Sequence, residues 1–410
     1  DTGVDPFMAS YPHLIDVGIM GHCIHGKTGL CIKAGIECYQ SGLLVEQSNM
    51  SVKDFRWIAE QSKGRCNQFA LGGRGDPDQH EYFEEILKIC QENVLVPNFT
   101  TSGYGMTPEI AKLCKKYCGA VAVSWYRSTY TINAIQILLD AHVKTNIHYV
   151  LGRNSIDEAI DRLQRNDFPK GINAVIFLLH KPAGQGTKSN VLSADDSRVA
   201  EFFSQVDKPH PFKVGMDSCN VPGAINFCKA ILPESLDTCE GGRYSCYIGA
   251  DMTMVPCSFD QEKRYAVSLR EMSISDAWNS NSFKLFRSRM RDACPRCEKR
   301  ALCIHNDPIC PLEQYLFDDL ELPIKINNDV LAQALCQLSR RKRQIVLLAY
   351  FCDWTDQQIS ERFHVVRSTI QSARTKALKE MRELLVKQSE TKSGGHPPCA
   401  AGYHRKGEKW

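Results

Sequence analysis

The chain has 410 residues, enough for two or three domains, and its 43% hydrophobic and 24% charged composition excludes wholesale disorder. Its longest apolar runs, 174–179 and 345–351, fall far short of the roughly 20 residues a membrane span needs, and residues 1–20 lack the basic start and apolar stretch of a secretory signal. The net charge of +3 conceals an asymmetry: residues 329–410 hold 15 Lys/Arg against 8 Asp/Glu, so one end alone is prepared for a polyanion.

Nineteen cysteines are several times ordinary usage, in a chain too large to need disulfide staples. With no export signal the expected compartment is the reducing cytoplasm, and thiolate–metal chemistry, zinc or iron–sulfur, is the leading explanation. The chain opens on Asp1 without an initiator Met, as a trimmed or partial chain would.

In chain order, strand-like apolar runs at 13–19, 66–71, 94–100, 120–124, 145–151 and 174–179 alternate with amphipathic stretches at 52–61, 82–92, 108–116, 131–141 and 155–165. Regular βα alternation predicts an α/β fold, a parallel sheet or partial barrel with helices outside and ligands at the C-terminal strand ends. A loop at 183–193 and a helix at 195–206 follow. A cysteine-rich region of short strands and loops then runs from Cys219 to Pro311, and 311–328 reads as a linker with an acidic run. Residues 329–387 are strongly helical, and the Gly/Pro/Lys-rich tail from Ser389 has the composition of a disordered segment.

The first strand leads into Gly21-His-Cys23-Ile-His-Gly-Lys-Thr-Gly-Leu-Cys31-Ile-Lys-Ala-Gly-Ile-Glu-Cys38-Tyr39. Three cysteines in a Gly-rich loop can wrap a [4Fe–4S] cluster and leave one iron open; a zinc loop completed by His22 or His25, and plain loop cysteines, are the other readings. The second strand ends in Gly72-Gly73-Arg74-Gly75-Asp76-Pro77, the fourth in Ser124, and the sixth is followed by Pro182-Ala-Gly184-Gln-Gly186. Taken in order, these residues resemble the radical S-adenosylmethionine (SAM) superfamily over about residues 14–311. The family spacing C-x3-C-x2-C is here C-x7-C and C-x6-C, and Arg74 stands where Glu is common. The resemblance implies a partial (β/α)6-type barrel. It also implies a SAM-binding [4Fe–4S] cluster on Cys23, Cys31 and Cys38, with SAM held at Gly72, Gly73, Ser124 and Gly184.

Further on, Cys239, Cys246 and Cys257 precede Cys294-Pro-Arg-Cys297-x5-Cys303, with Cys310 beyond. Seven cysteines exceed the four ligands of one zinc, although a zinc ribbon with bystander thiols is the competing reading. Together with Arg243, Val255-Pro256-Cys257 and Ile274-Ser-Asp-Ala-Trp278-Asn, the layout resembles the SPASM extension of radical SAM enzymes. Met252 replaces a common Gly, and Asp307 stands at the fourth close-spaced cysteine. The resemblance implies one or two auxiliary [4Fe–4S] clusters. Cys239, Cys246 and Cys257 would hold one, with Asp307 or an open iron; Cys294, Cys297, Cys303 and Cys310 would hold the other. It also implies a peptide or protein substrate and an electron donor such as flavodoxin or ferredoxin.

Residues 338–385 resemble region 4 of sigma-70-type factors, with an N-cap at Thr355 and His364 in place of the usual turn Gly. Ile359, Phe363, Val366, Ile370 and Leu378 are the expected buried seam. Arg367, Ser368, Thr369, Gln371 and Arg374 are the expected DNA-facing residues, with the basic run 340–343 on phosphates. A helical partner-docking domain is the alternative.

The domain reading is therefore a radical SAM core at 1–215, a SPASM-like region at 216–311 and a linker at 312–328. A helix-turn-helix at 329–388 and a basic tail at 389–410 complete it. The expected function is hydrogen abstraction from a peptide by the 5′-deoxyadenosyl radical that SAM releases on reductive cleavage, most of the catalysis belonging to the cofactor. The alternative is an iron–sulfur redox-sensing DNA-binding regulator.

Overall fold

A computed structural model describes residues 8–40, 46–192, 196–231, 239–289, 331, 334–335, 337–351, 354–363 and 365–390. These fall into two compact units, one up to residue 289 and one from 331 onward. Cys294, Cys297, Cys303, Cys310, Asp307, His364, the linker at 312–328 and residues 391–410 lie outside the described residues.

Local chemistry sets the elements of the N-terminal unit. Ser51 caps α3 (Val52–Ser62) by accepting from Asp54 N. Thr107 caps α5 (Pro108–Tyr117) in the same way, with Pro at the first turn. Helix α7 (Ile156–Arg165) buries Ile156, Ala159, Ile160 and Leu163, the i, i+3, i+4, i+7 face, and stops at Asn166 with φ of 52°. The strands β1 (Leu14–Met20), β2 (Gln68–Gly73), β3 (Val96–Thr101), β4 (Val121–Ser124), β5 (Thr145–Leu151) and β6 (Ala174–Leu179) occupy the six predicted runs within two residues at each end.

Neighbours in this sheet follow chain order from β1 to β7 (Lys213–Met216), all parallel. Crossovers of one hand that always step the same way put every helix on the same face, so the other face is left to side chains and ligands. Strand β7 falls outside the predicted runs because it is four residues long, starts at an exposed Lys213 and carries no sustained apolar run. On the other side of β1 the sheet continues through β8 (Ser245–Ile248), β9 (Thr253–Val255) and β10 (Val267–Ser268). Strand β8 is parallel to β1, with Asp16 opposite Tyr247; β9 and β10 are antiparallel additions. Fully buried Trp278 closes this end, its indole N–H donating to Ala9 O at 2.9 Å.

The C-terminal unit consists of helices Arg340–Phe351, Asp356–Arg362 and Arg367–Glu390. Thr355 and Gln358 form a reciprocal capping box at the second helix. The core holds Leu335, Leu338, Ile345, Leu348, Ile359, Ile370, Ala377 and Met381. Two residues of the predicted seam are corrected: Val366 is 68% exposed and Leu378 is 40% exposed. The inward face of the long helix steps from Ile370 to Ala377 and Met381, which rotates Leu378 outward by one position. No helix among the described residues is long and apolar enough to cross a membrane.

Candidate functional site

The first cysteine loop leaves the end of β1. Gly21 N donates to Asn49 Oδ1 at 3.0 Å. A Cβ on Gly21 would come within 2.1 Å of Ser48 O, so the exit is closed to any larger residue. Cys23 caps the single turn α1 (Ile24–Lys27), its sulfur accepting from Gly26 N at 3.0 Å. Cys31 lies buried in α2 (Leu30–Lys33), and Cys38 follows.

Burial, then the charges of Asp76, Cys38 and Cys31, push the Cys23 thiol up to about 11. Burial and Cys38 likewise raise Cys31. Cys23 and Cys31 therefore share one electrostatic environment and are protonated without a metal. No three His, Cys, Asp or Glu side chains among the described residues are grouped to hold a metal ion. The described residues thus assemble no preformed mononuclear zinc site. A cubane cluster, by contrast, takes each thiolate on a separate iron.

Both histidines considered as zinc partners are engaged elsewhere. His25 stacks on Tyr126 at 5.4 Å and 10° and hydrogen-bonds Tyr130 Oη at 2.8 Å. His22 Nδ1 lies 3.3 Å from Gln47 O.

Two glycine loops grip the cysteine loop. Gly73, with φ of 115°, would place a Cβ 2.4 Å from Met20 O, while a Cβ on Gly75 would lie 2.5 Å from His22 O and 3.2 Å from Cys23 Cα. Gly72 faces open space. From the other side, Gln185 N donates to Cys38 O at 2.9 Å, and a Cβ on Gly184 (φ 60°) would meet Tyr39 O at 2.2 Å. Close backbone approach of this kind is what glycine permits. Ser124 ends β4 in register with His148. Gly72, Gly73 and Ser124 thus occupy C-terminal strand ends, Gly184 follows β6, and Gly73 and Gly184 touch the elements that carry the cysteine loop.

Sequence reasoning missed Asp76. Arg74 turns away to Gln47 Oε1 at 2.9 Å, and Asp76 supplies the carboxylate of this loop. Asp76 is buried, accepts from Ser102 N at 2.6 Å and Ser102 Oγ at 2.5 Å, and is raised by burial. Its charge reaches Cys23, Cys31 and Tyr126. The Asp76-Pro77 step after two glycines was the available signal.

Also missed was the polar face of the sheet. A groove of about 410 Å³ is lined by Gln68, Asn98, Thr100, Lys144, Asn146 and His148, among others. These residues alternate with the buried Phe69, Phe99, Ile147 and Tyr149. Strands buried on both faces read as continuous apolar runs, so polar residues at every second position were the legible cue. Thr100 Oγ1 lies 3.1 Å from His148 Nδ1, and burial pushes His148 down to about 4, which leaves it neutral at pH 7.

In the second cysteine region, Cys239 precedes β8, Cys246 lies within it and Cys257 follows β9. Cys239 Sγ and Cys257 Cβ flank Gly241, at 3.7 and 3.6 Å from a Cβ placed there. Cys246 stands opposite Ile15 in the β1–β8 ladder, fully buried. Burial raises its thiol, and the charges acting on it are those of Asp16 and Cys66. The structure brings Cys239 and Cys257 together and puts Cys246 in the core.

In the C-terminal unit, Arg367, Ser368, Thr369 and Gln371 are exposed on the first turns of the long helix. Arg374 is not free to read bases: it pairs with the nearly buried Asp356 at 3.0 Å. Within the basic run 340–343, Arg341 stacks 3.7 Å over Phe363, Lys342 pairs with Glu380 and Arg343 is buried. Among the described side chains, Lys376, Lys379 and Arg382 are the exposed cations of the long helix beyond Arg367.

Comparison with known proteins adds the following. Residues 239–299 match the SPASM iron–sulfur cluster-binding domain, and residues 328–381 match sigma-70 region 4. A search of curated protein sequences gives no match. Among solved structures, Streptococcus suis SuiB bound to S-adenosylmethionine is similar with a TM-score of 0.53 at 14% identity, covering 73% of each chain. SuiB bound to its precursor peptide SuiA gives 0.53 at 14% identity, covering 76% of each. Histidine-tagged anSMEcpe with bound AdoMet gives 0.54 at 13% identity, covering 88% of this chain and 98% of that one. The chain has the α/β fold of these radical SAM structures, with a parallel sheet and helices at the C-terminus.

The glycine contacts make a graded test. Gly73→Ala and Gly184→Ala, each at positive φ and against backbone, are expected to cost more than about 1 kcal/mol of stability in denaturant unfolding. Gly72→Ala, with open space around it, is expected to stay within about 1 kcal/mol of the parent.

Proposed function

We propose that the chain is a radical SAM enzyme that abstracts hydrogen from a peptide or protein substrate, with a DNA-binding module at its C-terminus. The observation that carries this is the convergence at one end of a parallel sheet: a three-cysteine loop gripped by the Gly73–Gly75 loop and by the Gly184 loop. The donor set fits the cofactor, because three thiols with open space at Gly72 suit a cluster that keeps one iron for a ligand. A [4Fe–4S] cluster and SAM, when bound, supply reductive release of a 5′-deoxyadenosyl radical.

The protein's own part is holding and orientation. Cys23, Cys31 and Cys38 anchor the cluster; Gly72 and Gly73 offer backbone to the amino-acid end of SAM; Ser124 and Gly184 take the ribose and adenine side. Asp76, fixed by Ser102, orients the loop behind Cys23. The groove supplies amide and hydroxyl partners from Asn98, Thr100 and Asn146, with His148 as a neutral donor or acceptor. The solved structures with precursor peptide SuiA and with peptides bound to anSMEcpe support a peptide substrate. Auxiliary clusters on the SPASM cysteines, Cys294, Cys297, Cys303 and Cys310 among them, a flavodoxin or ferredoxin donor and a cytoplasmic setting complete the reading. So does the domain division at 215, 311, 328 and 388.

The sigma-70 region 4 match supports a second reading, an iron–sulfur redox-sensing DNA-binding regulator. The two separate in one assay. Anaerobically reconstituted protein with reductant and SAM is expected to form 5′-deoxyadenosine, and the triple Cys→Ala variant at 23, 31 and 38 to form none. Equal turnover by that variant would remove the cluster assignment, and no turnover by the parent would favour the regulator.

For DNA, the exposed Arg367, Lys376, Lys379 and Arg382 replace the engaged Arg341, Lys342 and Arg343 as phosphate contacts. About three to four such contacts give a slope of log K against log salt near −3 to −4, since each neutralised phosphate contributes about −0.9. A titration of the full chain on random duplexes is expected to show this slope. Combined Lys376→Ala, Lys379→Ala and Arg382→Ala is expected to flatten it. Gln371→Ala should cost roughly 1–3 kcal/mol on a preferred site only.

A further inference from the structure

We infer that Cys219 joins Cys239 and Cys257 as a thiolate ligand of an auxiliary iron–sulfur cluster, and that Cys246 stays outside it. The inference rests on the radical SAM reading above and assigns residues within it.

Three placements carry the argument. Cys239 and Cys257 already flank Gly241, so the loop before β8 and the loop after β9 place the two cysteines side by side. Cys219 comes from the far side of the sheet, in the turn after β7. In strand order β7 and β9 are nearly at opposite edges, and Lys181 joins the loops that follow them. Lys181 is 5% exposed and follows β6. Its Nζ donates to Asp217 Oδ2 at 2.7 Å and to Leu179 O at 2.9 Å, and stands 4.3 Å from the centre of the Phe259 ring. Asp217 lies two residues before Cys219, and Phe259 two residues after Cys257. One buried ammonium therefore ties the Cys219 turn to the Cys257 loop.

The electrostatics agree with the geometry. The charges of Lys181, Asp217, Cys239 and Cys257 all act on Cys219, and those of Cys239 and Lys181 on Cys257, so the three thiols and the ammonium share one neighbourhood. A site that gathers thiols around a buried cation suits thiolates held by a cluster.

Exposure separates the two candidates. Cys219, Cys239 and Cys257 are each partly accessible, whereas Cys246 is 2% exposed inside the β1–β8 ladder. A buried thiol with apolar neighbours behaves as a small hydrophobic residue. Cys246 follows Cys239 by seven residues, yet the charges that act on it are those of Asp16 and Cys66, not of Cys239 or Cys257.

The test uses the full chain, purified and reconstituted anaerobically with iron and sulfide, as parent, Cys219→Ala, Cys219→Ser and Cys246→Ala. Iron and acid-labile sulfide are counted per chain, electron paramagnetic resonance is recorded after reduction, and far-UV circular dichroism reports folding. The Cys219 variants are expected to lose up to one cluster, about four irons, or to change the resonance of one cluster, while Cys246→Ala keeps the parent's iron and spectrum. If Cys219→Ala loses its fold, the nearly isosteric Cys219→Ser gives the count. Loss of iron in Cys246→Ala with none in the Cys219 variants overturns the inference, as does parent-like iron and spectra in all variants. Both of those results leave the parent's clusters, and so the radical SAM reading, standing. A parent that takes up no iron removes both.

Discussion

Strand β8 lies parallel to β1, with Ile15 opposite Cys246 and Asp16 opposite Tyr247, and this four-residue ladder organises the N-terminal unit. It carries the segment from 239 to 257 onto the strand that ends in the first cysteine loop. The fit is tight, since a Cβ on Gly18 of β1 would lie 2.2 Å from Tyr247 Oη. A residue larger than glycine there would displace the Tyr247 ring. The two cysteine regions, 200 residues apart in sequence, are neighbours because of a strand pairing and not because of any local motif.

Charge bears directly on the proposed ligation by these cysteines. Burial raises Cys23, Cys31, Cys219 and Cys257 together. Thiols that resist ionisation alone become thiolates only when a positive centre compensates them, so cluster assembly releases protons and grows more favourable as pH rises. Lys181 supplies part of that compensation in the second region. Asp76 works in the opposite sense in the first, and Ser102 holds it in place.

Much of the fold was legible, and the reasons differ by element. Strands β1 to β6 announced themselves as apolar runs, and α7 by a clean i, i+3, i+4, i+7 face. The site loops were legible because βα architecture puts ligands at strand ends. What stayed hidden depends on three-dimensional register. Cys246 and Cys239 look alike in sequence, but only the pairing of β8 with β1 shows that Cys246 lies in a buried ladder while Cys239 sits in the loop before it. Arg374 resembles a base reader until Asp356, 18 residues earlier, is seen beside it. Val366 and Leu378 fit an apolar pattern that the actual helix phase leaves exposed.

Iron–sulfur clusters in place of zinc underlie the fit of every cysteine group above, and the metal content tests this most directly. Full-length protein purified and reconstituted without oxygen should hold clearly more than about four irons per chain, the content of one cubane cluster, with sulfide in equal amount. A chain that holds a single zinc and takes up no iron would contradict the account.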